Sequence, residues 1–338
     1  MTHEFKDIVD AHLQAKGNQI KTVLATVVAL DGSSYRKPGV KMLIREDEKM
    51  IGAVSGGCVE KDIVRKSKRV FETGSPIMMT YDGRFRLGCE GILYILIEPF
   101  QPSSQLVNAF NTCIVNRDEF NFSSYYSNEE GAISGIGTSV KIYGETYALS
   151  PDVHEKHNNT LSIFKERMPA SFRLMIFGAE HDAVQLCKLA AFSGWDVAVI
   201  SGPLETKTID NFLGATSFYT GSLDANAIRT IDSETAVVIM SHNFANDLKF
   251  LIELKDTSPG YLGLLGPAHR REKLLHQLIE YIPDINESFI DRIHGPAGLN
   301  IGAETPQEIA ISILSEVLST VRNKTPILLK KKKGGIHA

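Results

Sequence analysis

The stretch RLMIFGAEHDAVQLCKLAAFSGWDVAVIS, residues 173–201, has the pattern of a strand, a turn, a helix and a second strand. The apolar run Arg173–Phe177 is typical of a buried parallel strand, and a segment of helical period follows Gly178. A second apolar run, Asp196–Ile200, completes a βαβ unit. The pattern predicts a doubly wound parallel sheet, which binds ligands at the carboxyl ends of its strands.

The turn of this unit follows the dinucleotide-binding pattern G-x-G-x-x-A except at the second glycine, where Glu180 stands. That glycine normally lets the backbone approach a pyrophosphate. Glu180 and Asp182 put carboxylates at the start of the helix, and Ser201 occupies the place of the acidic residue that holds a ribose. The sequence therefore favours a retained Rossmann-type sheet and argues against NAD(P) binding.

The whole chain has 338 residues, which is long for one hydrophobic core and favours two domains. Strand and helix patterns alternate from Ser171 onward, whereas residues 1–100 mix a helical stripe, a hairpin and further strands. We interpret residues 101–170 as a variable hairpin region followed by a linker. The predicted fold class is α/β, with an α+β domain before a Rossmann-like doubly wound parallel-sheet domain. The predicted bounds are residues 1–150 for the first domain, 171–325 for the second and 326–338 for a basic tail.

Composition excludes several classes of protein. The net charge of −4 argues against a nucleic-acid partner. No apolar run reaches the ~20 residues that span a bilayer, so no membrane partner is expected. The four cysteines show no C-x-x-C spacing, which is typical of a reducing cytoplasm, where we expect the protein to work.

Glycine-rich loops in the first domain carry candidate ligand groups. GSSYRKPG, residues 32–39, offers hydroxyls and a basic pair to an anion such as a phosphate, although a plain tight turn is the alternative. SGGCVEKDI, residues 55–63, places Cys58 at a helix start, where the dipole lowers a thiol pKa. The alternative there is a small buried cysteine with Glu60 as a helix-start carboxylate.

A third loop, GRFRLGCEG at residues 83–91, places Cys89 between glycines with Arg84 and Arg86 nearby. Together the three loops suggest one site for an anionic, sulfur-related ligand, against the alternative of no site at all. A protease-like Cys–His dyad lacks its local base because no histidine lies between His12 and His154. The candidate binding residues of the three loops are Ser33, Ser34, Arg36, Gly39, Gly56, Gly57, Cys58, Glu60 and Cys89.

Polar residues follow the later strands of the second domain, in SHNFAND (241–247), GPAHRR (266–271) and RIHGPAGLNIGAETP (292–306). A single histidine is more often structural, but the set outlines a crevice. Three histidines with an aspartate could bind a metal, although nothing in the spacing requires it. The residues expected along one edge of the sheet are His242, Asp247, His269, Arg270, Arg271, Arg292 and His294.

Residues 15–100 and 172–322 resemble the xanthine dehydrogenase accessory protein family, XdhC/CoxI. The segments that carry the resemblance are ATVVALDGSSYRKPGVKMLI, GAVSGGCVEKDI, RLMIFGAEHDAVQLCKLAAFSGWDVAVIS, VIMSHNFANDLKFL, GYLGLLG and RIHGPAGLNIGAETPQEIAISILSEVL. The family's G-A-G-H turn stands here as Gly178–His181, which adds His181 to the candidate residues. Its G-G-G-C reads Ser55–Cys58, and its Cys-Gly-Gly reads Cys89–Gly91.

The resemblance implies an accessory chaperone that binds the molybdenum cofactor, a molybdopterin, transiently. Such a protein assists addition of the terminal sulfido ligand and delivers the cofactor to an apo molybdenum hydroxylase of the xanthine dehydrogenase type. It also implies a cysteine desulfurase as partner, and leaves a homodimer open. A pterin phosphate suits the loops, and a soft molybdenum–sulfur centre suits the Cys58 thiolate as metal contact.

Two rival hypotheses remain beside the chaperone. An NAD(P)-dependent oxidoreductase would use the second domain, and Glu180 and Ser201 argue against it. A metal- or sulfur-transfer enzyme would use Cys58 or Cys89, and the lack of a C-x-x-C pair and of a pyridoxal-type lysine signature weakens it. The sequence assigns no catalytic residue and does not identify the client enzyme.

Overall fold

The computed structural model describes residues 2–32, 37–55, 57, 59–85, 91–150, 160–221 and 228–332. The chain divides into two units, one of Met1–Ala170 with Lys332–Ala338 and one of Ser171–Lys331. The predicted linker at 151–159 and the end of the basic tail at 333–338 lie outside the described residues. Among the helices of the described residues, none combines the length and the apolar character that a membrane crossing needs.

An antiparallel sheet forms one layer of the first unit, in the order β3-β2-β1-β5-β4. Its strands are β1 (Thr22–Asp31), β2 (Lys41–Arg45), β3 (Met50–Gly52), β4 (Ile77–Asp82) and β5 (Ile92–Pro99). Alternate residues of the central strand β1 point to opposite faces, and both faces are buried. On one face Val23 and Val27 pack against Ile63 and Val70 of helix α2 (Glu60–Thr73). The predicted hairpin of β2 and β3 is confirmed.

A second antiparallel sheet, in the order β8-β7-β6-β9, completes the first unit with two helices. Its strands are β6 (Phe120–Tyr126), β7 (Gly137–Ile142), β8 (Glu145–Ala148) and β9 (Ser162–Met168), and the helices are α1 (Thr2–Gly17) and α3 (Ser104–Asn116). Phe5 of α1 lies at the centre of the shared core, and its ring contacts Phe100, Phe110 and Phe122 edge-on.

Helix α3 lies in the segment that the sequence pattern presented only as a hairpin region. It buries Leu106, Phe110 and Cys113 and exposes a polar face rich in asparagine and threonine, which hides its helical period. The capping residue Ser103, whose Oγ accepts a hydrogen bond from the Leu106 N–H at 3.1 Å, was the local signal for a helix start.

The second unit is a six-stranded sheet in which all neighbouring strands are parallel, as predicted. The strands are β10 (Arg173–Phe177), β11 (Asp196–Ser201), β12 (Ser217–Thr220), β13 (Thr235–Ile239), β14 (Tyr261–Leu264) and β15 (Ile293–His294). The helices are α4 (His181–Phe192), α5 (Phe244–Leu254), α6 (Ala268–Tyr281), α7 (Glu287–Asp291) and α8 (Pro306–Val321). Short 3₁₀ turns occupy Gly83–Phe85, Ile209–Asn211 and Leu329–Lys331.

The strand order β12-β11-β10-β13-β14-β15 is that of dinucleotide-binding folds. Helices α4 and α8 cover one face of the sheet, and α5 and α6 cover the other. The order reverses between β10 and β13, which opens a crevice at the carboxyl ends of these strands. Gly178 ends β10 at this point with φ of +144°, and a Cβ there would lie 2.4 Å from the Met240 carbonyl oxygen. Only glycine fits this approach.

Candidate functional site

The strand register brings the flanks of the three glycine-rich loops to one end of the first sheet. Asp31 at the end of β1 and Asp82 at the end of β4 both pair with Ile92 at the start of β5. The last turn of α2 lies at the opposite end, because Lys21, just before β1, donates to the Phe71 carbonyl at 3.5 Å. The start of α2 therefore lies at the same end as the other two loops.

Most of the candidate residues of these loops lie outside the described residues. They are Ser33, Ser34, Arg36, Gly56, Cys58 and Cys89, whereas Gly39, Gly57 and Glu60 are described. The buried Glu60 carboxylate accepts hydrogen bonds from the Ser55 N–H at 2.7 Å and from the Ser55 hydroxyl at 2.6 Å. Burial opposes ionisation, but these hydrogen bonds outweigh it and lower the Glu60 pKa. Glu60 thus serves as a helix-start carboxylate that fixes the loop before α2.

Gly39 is required by the fold. Its φ is +103°, and a Cβ there would lie 2.8 Å from Oε1 of Glu166 in β9. Lys41 Nζ donates to the Gly39 carbonyl at 3.0 Å and forms an ion pair with Glu166. The end of the first loop is therefore held by a lysine and a carboxylate from two different sheets of the unit.

A third ionisable group, Glu98 of β5, is completely buried and interacts electrostatically with Lys41. Glu98 Oε2 accepts a hydrogen bond from the Thr138 N–H at 2.9 Å, and burial raises the pKa of Glu98 to about 7. Burial likewise lowers the Lys41 pKa, against the attraction of Glu166. Sequence reasoning missed this group, although a lone carboxylate inside the apolar run ILYILIEPF was a signal for it.

The third loop is closed at its base, where the Gly83 N–H donates to the Gly91 carbonyl at 3.0 Å. Arg84, a candidate anion ligand in the sequence, donates to both oxygens of Asp82 at 2.9 and 2.6 Å. These bonds lower the Asp82 pKa. Arg84 is therefore already partnered within its own loop.

At the crevice of the second unit, carboxylates occupy the start of α4. Glu180 is the N-cap residue, exposed and without a capping hydrogen bond from its side chain, and His181 beside it is also exposed. Asp182 in the first turn lies 3.3 Å from His242, which follows β13. Ser201, at the ribose position, is buried and donates to the Tyr219 carbonyl at 3.1 Å.

Asp247 and Arg270, which follow β13 and β14, meet in one ion pair. Arg270 donates to Asp247 Oδ2 at 2.6 Å, and the Ser241 N–H donates to Oδ1 at 3.2 Å. Asp247 is buried and Arg270 is partly buried, so the pair is shielded from water. Gly266 makes room for it, since a Cβ there would lie 2.7 Å from Arg270 Cδ. Both groups are engaged with each other and fix the loops that follow these two strands.

His294 belongs to a different cluster, so the prediction that all these residues gather at one edge is wrong for it. Glu316 of α8 accepts hydrogen bonds from Tyr261, from His294 and from the Gly298 N–H at 2.5, 3.0 and 2.6 Å. The His294 ring stacks on Tyr261 with centroids 4.6 Å apart. These bonds outweigh the effect of burial and lower the Glu316 pKa, while burial and Glu316 raise that of Tyr261.

The remaining predicted residues of this edge are also separate. His269 is exposed, Arg271 donates weakly to the Ile293 carbonyl at 3.4 Å, and Arg292 donates to the Ser288 carbonyl at 3.0 Å. Within the described residues no three His, Cys, Asp or Glu side chains form a group that could hold a metal ion. Sequence reasoning missed Glu316 and Tyr261, the partners that position His294.

Cys113 and Cys187 are buried, and desolvation raises the pKa of each thiol to about 11. Both side chains pack in hydrophobic cores, as expected from their positions in helices. A thiol with such a pKa is almost entirely protonated near neutral pH and is a poor nucleophile or metal ligand. A thiolate function would therefore fall to Cys58 or Cys89, which lie outside the described residues.

Known proteins match the chain over both units. Residues 174–317 match the family model described as XdhC Rossmann domain, and residues 16–82 match that described as XdhC and CoxI family. A protein of Bacillus subtilis (strain 168), described as a probable subunit of xanthine dehydrogenase, is 28% identical over 333 residues, which are 94% of this chain and 97% of that protein.

Two further similarities extend over most of the chain. The molybdenum cofactor insertion chaperone PaoD of Escherichia coli (strain K12) is 25% identical over 316 residues, 92% of this chain and 86% of that protein. A crystal structure described as a xanthine dehydrogenase from Bacillus halodurans has 25% identity and a TM-score of 0.75, and the match covers 94% of this chain and 96% of that one.

Proposed function

Because the chain belongs to the XdhC and CoxI family, we propose that it binds the molybdenum cofactor and inserts it into an apo molybdenum hydroxylase of the xanthine dehydrogenase type. The observation that carries this proposal is the similarity to PaoD, which extends over 92% of the chain. The likeness to a probable xanthine dehydrogenase subunit supports the class of client. In this proposal the cofactor is cargo, and the chain itself has no turnover.

The cofactor binds in the first domain, residues 1–150, at the end of the sheet where the three glycine-rich loops begin. Support comes from the register that aligns Asp31, Asp82 and Ile92 and from the start of α2 at the same end. A helix start attracts an anion and stabilises a thiolate, so it suits both the pterin phosphate and Cys58. Cys58 is then the thiolate that contacts molybdenum.

The chain also assists addition of the terminal sulfido ligand before delivery, with a cysteine desulfurase as the source of sulfur. Holding the cofactor beside a thiolate and away from bulk water protects its metal–sulfur centre during this step. The buried thiols of Cys113 and Cys187 take no part, because their pKa values are too high.

Transfer of cofactor is the direct test of this function. The chain, purified from a host that makes the cofactor, is mixed with purified apo hydroxylase, and substrate oxidation by the hydroxylase is followed. We expect activity to rise more than with the same amount of free cofactor. The Cys187→Ser variant serves as the matched control and should transfer as well as the wild type. Activation equal to that by free cofactor, in a chain shown to carry pterin, would contradict insertion.

An NAD(P)-dependent oxidoreductase is the second candidate, since the second unit has the strand order of dinucleotide-binding folds. The start of α4 opposes it, because Glu180 and Asp182 bring negative charge to the place of the pyrophosphate. Ser201 is buried against Tyr219 and offers no carboxylate to a ribose. We therefore propose that this crevice binds no NAD(P) at physiological concentration.

A further inference from the structure

A cavity of about 510 Å³ lies in the first unit at the end of the sheet where β1 begins. Its walls come from the end of α1, the start of β1 and the segment between β5 and α3. The glycine-rich loops lie beyond the other end of β1, and a ten-residue strand is about 30 Å long. The cavity is therefore separate from the proposed cofactor site, and its volume is in the range of small-molecule sites.

The charges around this cavity are positive. Lys16 and Lys21 line it, and none of its described lining residues is acidic. Neither lysine forms an ion pair with a carboxylate in the part of the chain that the structure describes, although the chain as a whole has a net charge of −4. Ser103, the N-cap of the 13-residue helix α3, also lines the cavity, so the first N–H groups of that helix lie beside it. Two ammonium groups and a helix start favour a phosphate.

His12 adds a buried hydrogen-bond acceptor to the same cavity. Its side chain is 6% exposed, and Nδ1 lies 2.7 Å from the Thr22 hydroxyl. That hydroxyl donates its single proton to the Phe100 carbonyl at 2.9 Å, so it must accept from Nδ1–H. Nε2 therefore keeps a lone pair, and no described residue donates to it. Desolvation and the nearby Lys16 lower the His12 pKa to about 4, which keeps the ring neutral.

We propose that this cavity binds a nucleoside monophosphate, or a phosphomonoester of similar size that carries a hydroxyl group. Lys16, Lys21 and the start of α3 hold the phosphate, and Nε2 of His12 accepts a hydrogen bond from the ligand hydroxyl. Ile20 and Pro102 supply apolar walls for the remainder of the ligand. The site goes beyond cofactor delivery, because it can be filled while the glycine-rich loops hold the cofactor.

Titration calorimetry with GMP, inorganic phosphate and guanosine tests the site on the full chain from a host that makes no molybdopterin. GMP should bind more tightly than either fragment. The Lys16→Ala/Lys21→Ala variant should bind GMP about 100-fold more weakly, at about tenfold for each lost charge-assisted hydrogen bond. The control Lys249→Ala/Lys273→Ala loses the same charge from exposed positions of the second unit and should bind like the wild type.

His12→Asn separates the acceptor from the rest of the site. The asparagine amide can still donate to Thr22, but nothing replaces Nε2. We expect GMP to bind about tenfold more weakly and inorganic phosphate to bind unchanged. Thermal unfolding of each variant confirms that it is folded. Absence of GMP binding to the wild type, or equal GMP affinity in the wild type and the double-lysine variant, would overturn the proposal.

Discussion

At the scale of single residues, Glu98 carries a cost that depends on pH. It is fully buried, and Oε1 has no hydrogen-bond partner among the described residues. Its pKa rises from the ordinary 4.5 to about 7, so the folded chain binds a proton more tightly than the unfolded chain. The free energy of unfolding therefore falls as the pH rises from about 4.5 to about 7, and this contribution stays lost above that pH.

Glu98→Gln should remove this pH dependence, because a neutral amide replaces the titrating group. A shift of this size corresponds to at most about 3 kcal/mol. Urea unfolding of both proteins at pH 5 and pH 8 measures it, and the variant should gain stability relative to the wild type at pH 8. Glu145→Gln, at an exposed position of β8, is the control. An equal loss of stability from pH 5 to pH 8 in the wild type and in Glu98→Gln would show that Glu98 does not titrate in this range.

The thiols give a second prediction at the residue scale. With a pKa of about 11, Cys113 and Cys187 each have only about 0.1% thiolate at pH 8, and both are buried. Iodoacetamide at pH 8 should therefore leave them unmodified in the native protein and label Cys58 or Cys89 first. Peptide mass spectrometry of native and urea-denatured samples reads this out. Equal labelling rates for Cys187 in the two samples would contradict the assignment.

Glu180 is the residue that decides the nucleotide prediction. A carboxylate about 4 Å from a phosphate repels it by about 4 kcal/mol at an effective dielectric of about 20, and solvent screening reduces this figure. Even half of it weakens binding more than about tenfold. Titration with NAD and NADP should give no tight binding to the wild type and a partial gain in Glu180→Gly, since Ser201 remains. Tight wild-type binding would raise the oxidoreductase above the chaperone.

At the scale of elements, the turn from β10 to α4 depends on its contact with β13. Gly178→Ala should lower the free energy of unfolding by about 2–4 kcal/mol, because the added Cβ would lie 2.4 Å from the Met240 carbonyl oxygen. Gly17→Ala is the matched control. Gly17 ends α1, and a Cβ there would meet nothing within 4 Å, so this change should be neutral or stabilising by about 0.5–1 kcal/mol. Equal stability of the Gly178→Ala variant and the wild type would mean that the turn tolerates a side chain.

The elements also show how far the sequence alone reaches. Local pattern was enough for β10 and for the hairpin of β2 and β3, because periodicity and turn residues act within a few positions. It failed for α3, whose polar face masks its period. It also failed for the surroundings of His294, because Glu316 lies on a helix 22 residues further along the chain. Contacts of that range depend on how elements pack.

At the scale of the whole molecule, the two units offer different chemistry. The first has loop flanks and a helix start at one end of its sheet and a cavity with lysines at the other. The second has carboxylates at the crevice and ion pairs that tie its loops together. An anionic cofactor is therefore better matched to the first unit, whereas the second retains the nucleotide-binding strand order without the residues that bind the nucleotide.

The central claim is that this chain carries the molybdenum cofactor on its first unit. The most direct measurement is the pterin content, by fluorescence after oxidation, of the full chain purified from a cofactor-producing host. We predict that pterin elutes with the wild type and with Cys187→Ser, and that Cys58→Ser retains clearly less. A folded wild-type chain that is free of pterin when purified from such a host, or equal pterin in the Cys58→Ser and Cys187→Ser variants, would contradict the account.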